Sequence, residues 1–147
     1  MRKVIIMRGI PGAGKSTHAN DNYPNAAVVS ADDYHMIDSE YRFNQVNVKV
    51  AHDDCLRRFV ELLQGTKRDI IVDNTNIQAW EIAVYYRLAE LYKAHVEIVR
   101  VEVNPYVAAR RSVHKVPLKV VLRMSTALRN EHLPPWWREI VISEGGV

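Results

Sequence analysis

The chain has 147 residues, of which 48% are hydrophobic, so it is long enough for one continuous core and too short for two domains of ordinary size. Apolar runs such as Val4 to Met7 are far shorter than a membrane span or the apolar segment of a signal peptide. Cys55 is the only cysteine, which excludes an internal disulfide and agrees with a reducing compartment. We therefore expect a single cytoplasmic domain over residues 1–147. The net charge of +3 permits an anionic substrate without requiring one.

Short apolar runs alternate with longer amphipathic segments, which is the pattern of a protein built from strand–helix–strand units. The pattern predicts strands at 3–8, 26–30, 69–73 and 96–103. It predicts helices at about 15–22, 46–64, 75–93, 105–113 and 117–130, a loop or short helix at 32–43, and an irregular tail from residue 134. We therefore expect an α/β fold in which a parallel sheet of about four strands is flanked by helices. Ligands then bind beyond the carboxyl ends of the strands.

Several residues inside these helices have expected roles in the fold. Thr75 and Gln78 have the spacing of a capping box that would open the third helix. Trp80, Tyr85 and Tyr86 fall at helical spacing, and together with Cys55 they are expected in the core.

The segment from Gly9 to Ser16 reads GIPGAGKS and matches the phosphate-binding P-loop template between a predicted strand and a predicted helix. Glycines let the backbone wrap the phosphates with its N–H groups, and the helix that follows adds the positive end of its dipole. Lys15 is expected to reach the β and γ phosphates of ATP or another nucleoside triphosphate, and the Ser16 hydroxyl to ligate Mg²⁺. The predicted nucleotide-binding residues are Gly12, Ala13, Gly14, Lys15, Ser16 and Thr17. For Thr17, packing or bonding within the helix is the favoured role.

Two aspartates follow the second predicted strand, at the edge of the sheet where the P-loop also lies. A carboxylate at Asp32 could accept the proton of an attacking hydroxyl during phosphoryl transfer. The alternative is that Asp32 and Asp33 cap a short helix, which aspartate does well. The two roles are compatible.

Asp73 directly follows the third predicted strand, which is the usual place of an acid that orders magnesium through water. The neighbouring Thr75 and Asn76 are equally well explained by helix capping and by contact with a ligand.

A basic segment joins the two last predicted helices and contains Arg110, Arg111, His114 and Lys115. Nucleotide kinases use such a segment as a lid that closes cations over the transferring phosphate, and the lid here would span about residues 105–130. The alternative is a solvated basic helix end that the helix dipole favours. Because guanidinium stabilises developing phosphate charge better than imidazole does, Arg110 and Arg111 are the candidate catalytic cations, and the family resemblance described below favours Arg110.

From Lys3 to about Glu131, these motifs together resemble the polynucleotide 5′-kinases of phage and bacterial nucleic-acid repair. In that family an acidic DDY segment follows the P-loop, as at residues 32–34 here, and its first aspartate is the general base toward a polynucleotide 5′-hydroxyl. The resemblance therefore implies that Asp32 is the base. Phage members have an arginine that holds the acceptor's phosphate where this chain has His35.

The later motifs are similar to the same family. The DNTN segment at 73–76 resembles the family segment beside the acceptor nucleotide and the metal, with the aspartate placed as in bacterial members. Arg110 matches the first arginine of the family's lid, and His114 falls where phage members have the second. The resemblance implies that the substrate-facing residues are Asp32, His35, Asp73, Thr75, Asn76 and His114, and that Ser16 and Asp73 form the metal site.

These expectations combine into an ATP-dependent kinase that phosphorylates the 5′-hydroxyl of DNA or RNA. Lys15, Ser16 and Mg²⁺ would hold the donor, and Asp32 would take the acceptor proton. The expected partner is a nucleic acid with a 5′-hydroxyl end, with no membrane and no stable protein partner, in the cytoplasm of a cell or of a phage host. Two alternatives stay open: a kinase of another hydroxyl acceptor (a nucleoside, a small metabolite or a modified DNA base), and a P-loop binding module that acts through a partner.

Overall fold

The computed structural model describes residues 1–37, 40–112 and 114–143. Seven strands and five α-helices are described, in the order β1 (Lys3–Arg8), α1 (Lys15–Asn22), β2 (Ala27–Val29), β3 (Met36–Ile37), β4 (Glu40–Tyr41), α2 (Val48–Gly65), β5 (Ile70–Asp73), α3 (Ala79–Leu91), β6 (His95–Glu102), α4 (Pro105–Arg111), α5 (Leu118–Asn130) and β7 (Glu139–Ser143). Short 3₁₀ helices at Ala31–His35 and Gln45–Asn47 precede β3 and α2. Within this described part, no helix has the length and apolar character needed to cross a membrane.

Five of the strands form one parallel sheet in the order β2-β5-β1-β6-β7. β1 lies at the centre, where Ile5 pairs with Ile71 of β5 on one side and with Glu97 of β6 on the other. Because all five strands run in the same direction, their carboxyl ends lie along one edge of the sheet, where ligands bind in such folds. The predicted fold class, a parallel sheet flanked by helices, is confirmed.

The two faces of the sheet bury separate apolar clusters, because successive side chains of a strand point to opposite faces. Val4 and Ile6 of β1 belong to the cluster that contains Phe59 of α2, whereas Ile5 and Met7 pack on the other face. Helices α2 and α3 cover the first face, and α1, α4 and α5 contribute to the second. Cys55 is buried in the first cluster, as expected.

The end of the chain departs from the sequence prediction. Residues from 134 onward were expected to be irregular, but β7 pairs in parallel with β6 and extends the sheet to five strands. Its first residue, Glu139, accepts a hydrogen bond of 3.0 Å from Nη1 of Arg8, a residue only 1% exposed. The prediction was wrong because β7 is a half-exposed edge strand whose position depends on pairing with distant residues.

The predicted start of α3 at residue 75 and its predicted capping box of Thr75 and Gln78 were also wrong. The helix begins at Ala79, and its capping box joins Gln78 to Glu81, whose carboxylate accepts from the Gln78 N–H at 3.1 Å. Thr75 lies upstream, where its carbonyl accepts from the Gly9 N–H at 2.9 Å and ties this segment to the loop after β1.

The aromatic residues of α3 divide between core and solvent. Tyr85 and Tyr86 are buried as expected, but Trp80 is 72% exposed and does not belong to the core. Trp80 lies in the first turn of α3, upstream of Ile82, the first buried residue of the helix. Its indole N–H donates to the side chain of Gln78.

Candidate functional site

The loop between β1 and α1 has the backbone geometry of a phosphate cradle. Gly12 and Gly14 have φ values of 81° and 98°, a left-handed region that residues with a side chain rarely adopt. Helix α1 begins directly after Gly14, so its free N–H groups and positive dipole end face the loop. A Cβ added at Gly12 would overlap the carbonyl of Ala108 in α4, so a glycine is also required there for close packing of α4 on the loop.

Lys15 lies inside the cradle. Its Nζ donates to the carbonyls of Gly9 at 3.0 Å and Ile10 at 3.1 Å. Burial lowers the pKa of Lys15, and the negative charges of Asp73 and Asp32 oppose this effect. The ammonium therefore lies within electrostatic reach of both carboxylates that the sequence singled out.

The two residues predicted to hold magnesium are in contact. Ser16 Oγ donates a hydrogen bond of 2.6 Å to Oδ2 of Asp73, at the carboxyl end of β5. Two oxygen ligands beside a phosphate cradle suit Mg²⁺, which usually takes one or two protein ligands together with water and substrate phosphates. Ser16 and Asp73 therefore fit a metal that arrives with a nucleotide. The described residues contain no group of three or more His, Cys, Asp or Glu side chains around a metal position.

Asp32 lies in the 3₁₀ helix at Ala31–His35, and 54% of its side chain is exposed. The cap of this helix is Ser30, whose Oγ accepts from the Asp32 N–H at 3.2 Å, so the Asp32 carboxylate is not used as the cap. Asn74, the residue after β5, holds this 3₁₀ helix, because its Oδ1 accepts a hydrogen bond from the Ala31 N–H at 2.8 Å. The backbone of Asp32 is thus held in place, and its carboxylate is accessible to solvent.

Helix α2 supports the same 3₁₀ helix. Arg58 donates to the carbonyl of Ser30 at 2.7 Å and to the carboxylate of Asp33 at 3.2 Å. The two adjacent aspartates therefore differ in their surroundings, since Asp33 is paired with Arg58 and Asp32 is contacted from the segment between α4 and α5.

His114, from the segment between α4 and α5, meets Asp32. Its Nε2 lies 3.6 Å from Oδ2 of Asp32, and its ring stacks on that of Tyr41 with 3.7 Å between centroids and 26° between planes. Burial, the negative charge of Asp32 and a hydrogen bond to its carboxylate raise the pKa of Tyr41 to about 12. Tyr41, from the hairpin that follows the 3₁₀ helix, and His114, from a segment far along the chain, therefore converge at this carboxylate.

His35 is only 4% exposed. Its ring packs edge-on against Tyr41 at 5.9 Å and at a tilt against Phe43 at 5.0 Å. The predicted contact of His35 with an acceptor stays a prediction, and it would require these rings to move.

The two other substrate-facing candidates lie in the segment after β5. Thr75 is partly buried, and Asn76 is 1% exposed with φ at 48°. The Asn76 side chain donates to the Met7 carbonyl at 2.8 Å, and its own carbonyl accepts from Arg8 at 2.9 Å. Asn76 therefore fastens β1 to the segment after β5, and its role toward a substrate stays a prediction.

The two lid arginines point to different places. Arg111 donates through Nε to the Gly12 carbonyl at 2.8 Å and through Nη2 to the Ala13 carbonyl at 3.3 Å. Arg110, the preferred candidate from the sequence, is exposed at the end of α4. The structure thus brings Arg111 to the cradle and leaves Arg110 on the outside.

Sequence reasoning did not identify Tyr41 or Arg58 as part of the site. Neither belongs to a motif, and each reaches Asp32 or its 3₁₀ helix through tertiary contacts alone. Asn74 was visible in the DNTN segment, but nothing in the sequence showed that its amide holds the backbone before Asp32.

Comparison with known proteins identifies the fold family. The family model described as an AAA domain matches residues 4–124. Human NEDD4-binding protein 2 is 34% identical over 129 residues, which cover 82% of this chain and 7% of that protein. The chain thus spans only a small part of the curated relative it matches.

Two solved structures show the same fold at low identity. A chain of the Pnkp1/Rnl/Hen1 RNA repair complex superposes with a TM-score of 0.70 and 18% identity, covering 87% of this chain and 44% of that one. The APS kinase CysC of Mycobacterium tuberculosis, in complex with AMPPNP and APS, has a TM-score of 0.62 and 14% identity, covering 99% of this chain and 90% of that one. The chain belongs to the AAA domain family, and its fold is that of a P-loop, kinase-like nucleotide-binding domain.

Proposed function

We propose that this domain is an ATP-dependent kinase that transfers the γ-phosphoryl group to the 5′-hydroxyl of DNA or RNA. The observation that carries the proposal is the convergence of Lys15, the bonded pair of Ser16 and Asp73, and Asp32 at one edge of the sheet. A phosphate cradle alone would serve any nucleotide-binding protein. An accessible carboxylate within electrostatic reach of the cradle lysine adds a base for an attacking hydroxyl.

On the donor side, the backbone N–H groups of the loop and the start of α1 bind the phosphates. Lys15 would exchange its present bonds to the Gly9 and Ile10 carbonyls for contacts with the β and γ phosphates. Ser16 would ligate Mg²⁺ directly and Asp73 would hold one of its waters, as their 2.6 Å separation allows. When bound, Mg²⁺ neutralises charge on the transferring phosphoryl group.

On the acceptor side, Asp32 would orient the hydroxyl and accept its proton as the oxygen bonds to the γ phosphorus. The support is that its carboxylate is more than half exposed while its backbone is held by Ser30 and Asn74. In the proposed lid, about residues 105–130, Arg111 lies nearer the cradle than Arg110 does. Arg111 is therefore the better candidate for covering the transfer point, with Arg110 as the alternative.

A kinase of another hydroxyl acceptor is the second candidate. The observation that favours it is that Tyr41 and His114 narrow the approach to Asp32. A small hydroxyl compound would pass this approach more easily than a polynucleotide end.

An acceptor panel with γ-labelled ATP and Mg²⁺ separates these functions. The panel contains 5′-hydroxyl DNA, 5′-hydroxyl RNA, free nucleosides and nucleotides, small hydroxyl metabolites, and duplex DNA carrying a modified base. We expect label on a polynucleotide end, and none with Lys15→Ala prepared in the same way. Label confined to a small molecule would reject the polynucleotide acceptor, and absence of acceptor-dependent transfer would favour a binding module.

A further inference from the structure

The contacts of His114 differ from those of the neighbouring lid residue Arg111. Arg111 bonds to the carbonyls of Gly12 and Ala13 in the cradle, whereas Nε2 of His114 lies 3.6 Å from the Asp32 carboxylate. The lid thus makes one contact with the donor side and a separate contact with the candidate base.

The orientation of His114 follows from its surroundings. One face of the imidazole stacks on Tyr41, with 3.7 Å between the ring centroids. Its Nδ1 is buried and has no hydrogen-bond partner within the described part of the chain. The stack sets the plane of the ring, so the polar contact that remains for the imidazole is the one that Nε2 makes with Asp32.

The position of Tyr41 is set by its own hairpin and by the ring of His35. It lies in β4 of the short hairpin with β3, and His35 packs edge-on against its ring at 5.9 Å. The backbone carbonyl of His35 accepts from the N–H of Arg42 at 2.7 Å, which joins the hairpin to the 3₁₀ helix that carries Asp32. Tyr41 and Asp32 therefore lie in one connected segment of the chain, whereas His114 contacts them from the proposed lid.

We propose that Tyr41 and His114 are positioning residues that act as one unit, in which the stacked imidazole holds the Asp32 carboxylate when the lid is closed. This inference rests on the proposed function, since it treats Asp32 as the base. In this arrangement the contact from His114, together with the hydrogen bond from Tyr41 to the same carboxylate, limits Asp32 to one orientation before the hydroxyl attacks. Lid closure and alignment of the base are then the same event, and both rings are needed for it.

The test is a double-mutant cycle measured with the acceptor that the panel identifies. Tyr41→Ala and His114→Ala are each expected to lower kcat about tenfold and to leave the KM for ATP within about twofold, because misplaced reacting groups slow chemistry without weakening the donor site. The double variant is expected to lose about tenfold and not a hundredfold, since removal of either ring already disrupts the unit. His114→Phe, which keeps the stack and removes the polar contact, is expected to match His114→Ala.

The matched control is Trp80→Ala, which removes an exposed aromatic ring from α3, outside the proposed lid. Its kcat is expected to stay within about twofold of the unmodified protein. The inference is wrong, while the proposed function stands, if the unmodified protein transfers phosphate and both single variants have the same kcat as the unmodified protein. It is also wrong if the double variant loses about a hundredfold in kcat, the product of the two single losses.

Amide hydrogen exchange of residues 114–118 gives a readout that needs no acceptor. Both alanine variants are expected to raise exchange in this segment about tenfold relative to Trp80→Ala, because the lid loses its contact with the base loop. If the unmodified protein showed no transfer at all, the proposed function would fail, and this measurement would still decide whether the rings hold the lid. Unchanged exchange would overturn the inference.

Discussion

The phosphate cradle and the surroundings of Asp32 are two halves of one site, built in different ways. The cradle comes from one short stretch, in which two glycines with positive φ in the loop after β1 are followed by a lysine and a serine in the first turn of α1. The Asp32 side is assembled from a 3₁₀ helix, a hairpin and the segment between α4 and α5, with support from α2 and from Asn74 after β5. A local site can be recognised from its motif, whereas an assembled site depends on contacts between distant residues.

The sharpest way to separate the two halves is to remove one functional group from each. Asp32→Asn is expected to lower acceptor-dependent turnover on the order of 10²–10⁴-fold with ATP binding unchanged, because it removes the base alone. Lys15→Ala is expected to weaken both ATP binding and turnover, since the lysine contacts the donor in the ground state as well. Single-turnover kinetics and nucleotide titration measure the two effects.

Asp33→Asn is the matched control for the base, because Asp33 is adjacent and pairs with Arg58. We expect its turnover within about threefold of the unmodified protein. Near-normal turnover of Asp32→Asn would mean that the base lies elsewhere.

The magnesium site can be tested within the cradle. Ser16→Ala removes the hydroxyl that bonds to Asp73, and it is expected to lower turnover on the order of 10²-fold and to raise the Mg²⁺ concentration needed for half-maximal rate. Ser16→Thr retains a hydroxyl at the same position and is expected to recover most of the activity. Magnesium titrations of both variants measure turnover and the Mg²⁺ concentration needed for half-maximal rate. If both quantities were the same in Ser16→Ala and Ser16→Thr, a role for the hydroxyl would be excluded.

The packing of α4 on the cradle predicts a stability effect. Gly12→Ala places a Cβ against the Ala108 carbonyl at a φ of 81°, so it is expected to lower the free energy of unfolding by about 1–3 kcal/mol. Gly65→Ala is the control, because a Cβ there meets nothing within 4 Å at the end of α2, and it should not destabilise the protein. Chemical denaturation measures both, and equal stability of the two variants would contradict the packing.

The smallest expected effect concerns the support of the base from α2. Arg58→Ala removes the bonds to Ser30, Asp33 and Asp54, and it is expected to lower the free energy of unfolding by about 1–2 kcal/mol and turnover by a few fold, with ATP binding unchanged. Arg57→Ala alters an exposed neighbour that bonds only within α2, and no change is expected. A loss of ATP affinity in Arg58→Ala would show that the two halves of the site are not separable.

Elements with strong local signals were predictable. The bounds of β1 and α1 were predicted correctly, because an apolar run, a glycine-rich turn and a helix start follow one another without competing signals. The start of α3 was misplaced because Thr75 and Gln78 have a capping-box spacing, while the real box lies at Gln78 and Glu81. Strand β7 was missed because its conformation depends on pairing with β6.

Within the site, the amino-acid sequence alone indicated the cradle, the candidate base and the acid after β5, because each lies at or just beyond the end of a predicted strand. Tertiary structure decided which arginine reaches the cradle, and that His35 is buried among aromatic rings. It also brought His114 onto Tyr41 and Asp32, although 72 residues separate His114 from Tyr41 along the chain. These outcomes depend on how the hairpin and the lid pack on a common sheet, and the spacing of residues along the chain carries no record of that packing.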